Sequence, residues 1–216
     1  MSQNKGLTLI KDIFIFAVGS IGSKLILFLL VPLYTNFMTT DEYGTADLVF
    51  TISQLLIPFV SVVIFDAVVR FGLMKSEKAE NVLLCAFVIL GAGTVATVLL
   101  TPLLSFYRAI SEWKWYFCIY TILNMLLPVE MNYLKVRNRN MLYAVGGILQ
   151  TLILAILNII LIARLHMGVK GYLISNIVAC AVVAVVLFLS EMSEYLLKRQ
   201  SLIKSFFLRW SHFLRL

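Results

Sequence analysis

The sequence predicts an all-α integral membrane protein of six transmembrane helices, on three observations. Of its 216 residues, 61% are hydrophobic and 13% charged, with a mean hydropathy of +0.96, a balance outside that of soluble globular domains. Six apolar runs, residues 13–34, 46–65, 82–106, 113–134, 141–163 and 169–190, are each long enough to cross a hydrocarbon core of about 30 Å as a helix. Their interiors mix Leu, Ile, Val, Phe and Gly without the alternation of a barrel strand, which selects a helical bundle. The third observation is the charge of the loops. Lys5, Lys11, Arg70, Lys75, Lys78, Lys135, Arg137, Arg139, Lys198, Arg199, Lys204, Arg209 and Arg215 fall on one side, against Arg108, Lys114, Arg164 and Lys170 on the other. By the positive-inside rule both termini are expected in the cytoplasm. The net charge of +7 then follows from topology, and no nucleic-acid partner is expected.

The first span, 13–34, holds a lysine at its centre: Lys24 is the twelfth of twenty-two residues. An ammonium at that depth costs at least roughly 2.5–3.5 kcal/mol, which makes it by default a pathway residue or half of a buried pair. Lys24 shares a helix face with Ala17, Ser20 and Phe28, while Gly19 and Ser23 form a small-xxx-small step on which another backbone can pack. Lys5 and Lys11 ahead of this run resemble a signal peptide, but the run is too long for one, and an uncleaved span is expected.

The second span, 46–65, ends at Asp66 and Arg70, whose i, i+4 spacing puts them on one helix face. The pair is either an ordinary boundary pair or an exchangeable one, in which an anionic substrate takes Arg70. The fourth span, 113–134, carries Glu130, a candidate for coupling or for a charge pair with Lys24. Tyr133 and Arg137 continue its side of the helix. Pro32, Pro58, Pro102 and Pro128 mark the first four spans, where bends are tolerated if neighbours satisfy the freed carbonyls. Gln54, Asn124, Gln150, Asn158 and Asn176 are expected to hydrogen-bond between helices or to line a polar cavity.

Short connections make residues 1–190 one six-helix lobe. Residues 191–216 differ in character: Ile203, Phe206, Phe207, Trp210, Phe213 and Leu214 share one helical face, with Lys204, Arg209, His212 and Arg215 around the other. This is a basic amphipathic tail at the inner headgroups, or a linker cut short before another span. Cys85, Cys118 and Cys180 lie in spans with no pairing and no histidine cluster, as small buried residues. No catalytic constellation, phosphate loop or metal spacing occurs, so neither an enzyme nor a cofactor is expected.

The stretch FAVGSIGSKLILFLLVPLYTNFMTTDEYGTADL, residues 16–48, resembles the N-terminal signature of bacterial polysaccharide-repeat flippases of the O-antigen type. These belong to the multidrug/oligosaccharidyl-lipid/polysaccharide exporter superfamily. FDAVVRFGL (65–73) and NYLKVRNRNMLYAVGGIL (132–149) are similar to its later motifs. The resemblance, from about residue 8 to about 190, implies one six-helix lobe of a two-lobe MATE-like exporter. It also implies export of an undecaprenyl-pyrophosphate-linked oligosaccharide across the bacterial inner membrane for surface polysaccharide synthesis. Lys24 matches the signature lysine and Arg70 the basic residue of the second-span motif, and both are candidate pyrophosphate contacts.

Family members carry two lobes with the cavity between them, so this lobe is expected to pair with a separately encoded second lobe, to dimerise, or to be a truncated remnant. The expected partners are the lipid-linked oligosaccharide and membrane lipids. Two other readings stay open: a cation-coupled small-molecule antiporter of the same superfamily, and a non-transporting membrane subunit or inert fragment.

Overall fold

The computed structural model describes residues 21–22, 24–74, 79–106 and 108–213, with side chains up to Met192 except at 79–80 and 108–109. All regular structure among the described residues is helical. Helix α1 covers Lys24–Phe37, α2 Thr40–Ser61, α3 Ile64–Gly72, α4 Ala79–Leu100, α5 Arg108–Ser111, α6 Lys114–Val136, α7 Asn140–Asn158 and α8 Gly168–Phe213. A 3₁₀ turn, Thr101–Phe106, extends α4, and a π-helical segment, Ile159–Arg164, extends α7. Among the described residues, five stretches are long and apolar enough to cross a membrane: Thr40–Ser61, Asn81–Phe106, Lys114–Val136, Asn140–Arg164 and Gly168–Met192. The chain is thus an all-α, multi-pass membrane protein. The first expected span is described only in its second half. Its small-residue step at Gly19 and Ser23, with Ala17 and Ser20 beside it, lies outside the described residues.

The chain divides into two units, Met1–Ala184 and Val185–Leu216. In the second, helical backbone continues past residue 190, where the sequence places the end of the last span, to Phe213. The side chains of the expected amphipathic tail lie outside the described ones.

Sequence signals set the turns of the first unit. Helix α2 starts on a capping box: Thr39 Oγ1 accepts from the Glu42 N–H at 3.3 Å, and the Thr39 N–H donates to Glu42 Oε2 at 2.9 Å. The Thr-x-x-Glu spacing of Thr39 to Glu42 satisfies two otherwise orphaned donors at once. Helix α6 stops on left-handed Asn138 (φ 56°), with Asn138 N–H bonded to Lys135 O at 2.9 Å and Arg139 N–H to Leu134 O at 2.8 Å. This is a Schellman stop, which asparagine tolerates better than most residues.

The second span is not the continuous helix the apolar run predicts. It breaks at Val62 and Val63, both left-handed at φ 51° and 52°, a conformation that costs β-branched residues of order 1–2 kcal/mol each. Contacts on both sides hold the break in place. Gly93 of α4 lies so close to the Val60 carbonyl that a Cβ there would collide with the oxygen. On the far side, Asn132 of α6 donates to Phe65 O at 2.7 Å. Helix α3 begins after the break and carries Asp66 and Arg70.

Two apolar clusters form the core of the first unit. One gathers Leu30 and Tyr34 of α1, Met38 of the turn after it, Val49 of α2, Phe117 of α6, Leu154 of α7 and Leu173 of α8. The other packs Ile57, Val68, Leu90, Met125, Val129 and Val136 from α2, α3, α4 and α6. Helix α6 contributes to both and contacts α2, α3, α4 and α7. Its hydroxyls are satisfied locally or across the seam: Thr121 donates to Phe117 O at 2.8 Å, and its Oγ1 also meets Ser53 of α2.

Candidate functional site

Helix α1 divides by exposure. Leu30 and Tyr34, at i and i+4, are buried in the core, as is Met38 just past the helix end. Lys24, Phe28, Val31 and Thr35, at i, i+4, i+7 and i+11, are exposed. Lys24 therefore lies on the unpacked stripe, ten residues or about 15 Å from Tyr34 along the helix. No ion pair joins it to Glu130 or to any other carboxylate among the described residues. It also shares its stripe with a large aromatic, Phe28, which is 71% exposed.

Asp66 and Arg70 are both exposed on α3. They share a face, yet no salt bridge closes between them. The Arg70 guanidinium lies 6.0 Å from the ring centre of Phe71 instead. Glu130 is half-buried on α6. Its Oε2 is buried without a hydrogen-bond partner. Arg137, two turns further on, sits over the Tyr133 ring at 5.8 Å. The four residues singled out by the sequence thus fall on three helices, α1, α3 and α6, and no hydrogen bond or ion pair brings them together.

The structure assembles two polar clusters, of which sequence reasoning foresaw only that Asn158 could bond between helices. At the end of the first unit bearing the α1–α2 turn, Asn158 Nδ2 donates to the Tyr34 hydroxyl at 3.0 Å. The Tyr34 ring stacks on Tyr43 at 5.7 Å and meets Tyr172 edge-on at 5.3 Å. Asn158 Oδ1 is fully buried with no partner, at the point where α7 passes into its π-helical segment. Nearby, the Glu42 carboxylate lies against Gly168 (φ +51°), filling the place a Cβ would need. Helices α1, α2, α7 and α8 are cross-braced there. At the opposite end, Lys135 Nζ donates to Asn132 Oδ1 at 2.9 Å and stands 4.4 Å from the ring centre of Tyr143. The sequence signals were modest: tyrosine and asparagine within apolar runs, which only tertiary pairing makes meaningful.

Of the polar residues expected to bond between helices or to line a polar cavity, two bond between helices and two do neither. Asn158 bridges helices, and Gln54 reaches Tyr120 at 3.5 Å. Asn124 and Asn176 instead donate to carbonyls of their own helices, Tyr120 O at 3.0 Å and Tyr172 O at 2.9 Å. Cys118 and Cys180 are buried as expected, whereas Cys85 is exposed on the flank of α4. No group of three or more His, Cys, Asp or Glu among the described residues is placed to hold a metal ion.

No family model, curated protein or solved structure matches the chain. The chemistry on offer is therefore that of the residues themselves. It comprises a cation on an unpacked apolar stripe, a second exposed cation at a helix break, and a half-buried carboxylate with one unpartnered oxygen.

Proposed function

We propose that the chain is one lobe of a transporter that moves an undecaprenyl-pyrophosphate-linked oligosaccharide from the cytoplasmic to the periplasmic leaflet of a bacterial inner membrane, for surface polysaccharide synthesis. The observation that carries this reading is Lys24: an exposed ammonium on the apolar stripe of α1, with no carboxylate paired to it among the described residues. Hydrocarbon does not solvate such a group, so it requires a water-filled cavity or an anion. A pyrophosphate on a lipid carrier provides the anion at the right depth. The resemblance of residues 16–48 to the flippase signature supports the same assignment, and the exposed Arg70 on α3 offers a second cation. The unpacked stripe is then the wall of a cavity that a second six-helix lobe or a second copy of this chain completes.

Reconstituted in liposomes, with a second lobe supplied where one is required, the chain is expected to move a pyrophosphate-linked undecaprenyl oligosaccharide between leaflets. Lys24→Ala should abolish both movement and pyrophosphate-lipid binding, and Lys24→Arg should restore binding. Binding that is indifferent to Lys24→Ala would refute the assignment. A second reading, a cation-coupled small-molecule antiporter, is favoured by the unpartnered Glu130 Oε2. It predicts ion-gradient-driven efflux that Glu130→Gln abolishes while Lys24→Ala does not.

A further inference from the structure

Helices α4 and α6 do not close against each other along their whole length. Between them lies a crevice of about 220 Å³, lined by Phe87, Leu90, Gly91 and Thr94 of α4 and by Ile122, Met125 and Leu126 of α6. Thr94 is the one polar side chain among these, and its hydroxyl is already spent on Leu90 O at 2.8 Å. Gly91 leaves the crevice open: a Cβ built there meets nothing within 4 Å. Two residues on, Gly93 has the Val60 carbonyl against it. One glycine of α4 therefore serves packing and the other serves space.

Position and chemistry together select the occupant. Leu90, Gly91 and Thr94 lie near the middle of the span Asn81–Phe106, and Ile122–Leu126 near the middle of Lys114–Val136. At that depth the surrounding solvent is hydrocarbon chain. The exposed Phe87 and Gly91 mark the opening on the flank where Leu84, Val88 and Val95 are also exposed. The space exceeds the roughly 150 Å³ apolar cavity that stays dry and accepts benzene. Water gains nothing there, and an empty cleft forfeits the dispersion contacts of its walls. We propose that the α4–α6 crevice is a seat for one acyl tail of a bilayer phospholipid. The seat is independent of which substrate the transporter carries.

The full chain is reconstituted in vesicles doped with a phosphatidylcholine bearing a mid-chain diazirine, photolysed, and mapped by peptide mass spectrometry. Val88 and Val95 are 66% and 59% exposed, whereas Ile122 and Leu126, on the α6 wall of the crevice, are half-buried. Any lipid touching the flank of α4 labels the first pair, and a tail inside the crevice also labels the second. Ile122 and Leu126 should label well above background alongside Val88 and Val95. Gly91→Leu, which fills the open space, should cut the labelling of Ile122 and Leu126 severalfold while leaving Val88 and Val95 unchanged. Gly91→Ala should leave both pairs near the parent level. Continued labelling of Val88 and Val95 reports that each variant is folded and inserted. Label confined to Val88 and Val95, or label at Ile122 and Leu126 that Gly91→Leu does not reduce, overturns the proposal. Loss of the Ile122 and Leu126 label on adding a small mole fraction of unlabelled polyprenyl phosphate also overturns it, and reassigns the crevice to a polyprenyl chain.

Discussion

Helices α4 and α6 lie side by side and follow opposite compositional rules. The span containing α4 has a mean hydropathy of 2.5, yet only 22% of its most apolar window is buried; for α6 the figures are 1.2 and 67%. In a water-soluble protein the more buried helix is the more apolar one. Here the solvent is hydrocarbon, so the exposed flank of α4 must be as apolar as lipid, while α6, shielded by its neighbours, can carry Thr121, Asn124, Glu130 and Asn132. In this pair the more apolar helix is the one exposed to lipid, and the moderately apolar α6 forms the centre of the first unit.

The largest expected effect that tests this contrast is Val88→Asp. On a soluble surface such a change would be nearly silent, but on the lipid-facing flank of α4 it should cost about 2.5–3.5 kcal/mol on insertion scales. The fraction of α4 inserted, measured by glycosylation mapping, should fall accordingly. Unchanged insertion would mean that this flank faces water or protein, and the contrast with α6 would collapse.

Next in size is the pair of glycines. Gly93→Ala places a methyl group on the Val60 carbonyl and should destabilise the protein by about 1–3 kcal/mol through overpacking at the α2–α3 break. Gly91→Ala should stay within about 0.5 kcal/mol of the parent. Thermal unfolding in detergent separates the two; equal losses would remove Gly93 from its packing role.

The smallest effect belongs to the polar residues of α6. Asn132→Leu removes the donor to Phe65 O and the acceptor for Lys135, and should cost about 0.6–1.7 kcal/mol in denaturant titration. Asn124→Leu, which loses only a bond within its own helix, should cost less. The reverse order would show that the α3–α6 bridge contributes nothing to stability.

The two lysines in apolar surroundings show where sequence reading stops. Lys135 and Lys24 both stand at or within apolar runs, and only the fold separates them. Lys135 finds the Asn132 amide and the Tyr143 ring across the α6–α7 turn, which makes it a structural cation. Lys24 projects from the stripe of α1 that packs on nothing described. The i, i+4 spacing of Asp66 and Arg70 correctly puts them on one face, but spacing alone does not bring two exposed side chains within bonding distance. Cys85 illustrates the same limit, since a run of uniform apolarity carries no phase to distinguish a buried flank from a lipid-facing one.

What the sequence determined by itself is the all-helical class and the positions of five spans, because length and apolarity over about twenty residues are local properties that lipid reads directly. The capping box at Thr39 is equally local and depends on neighbouring residues alone. The tertiary structure alone decided the break at Val62 and Val63, the Tyr34–Asn158 bridge, the seating of Glu42 on Gly168 and the crevice beside Gly91. The first three each depend on a residue more than thirty positions away coming within a few ångströms: Gly93 beneath Val60, Asn158 beside Tyr34, Gly168 under Glu42; the crevice depends on Ile122 and Leu126 of α6 facing Gly91 across a gap. In hydrocarbon, where burial of apolar surface provides no preference among such pairings, close packing and a small number of interhelical hydrogen bonds choose between them.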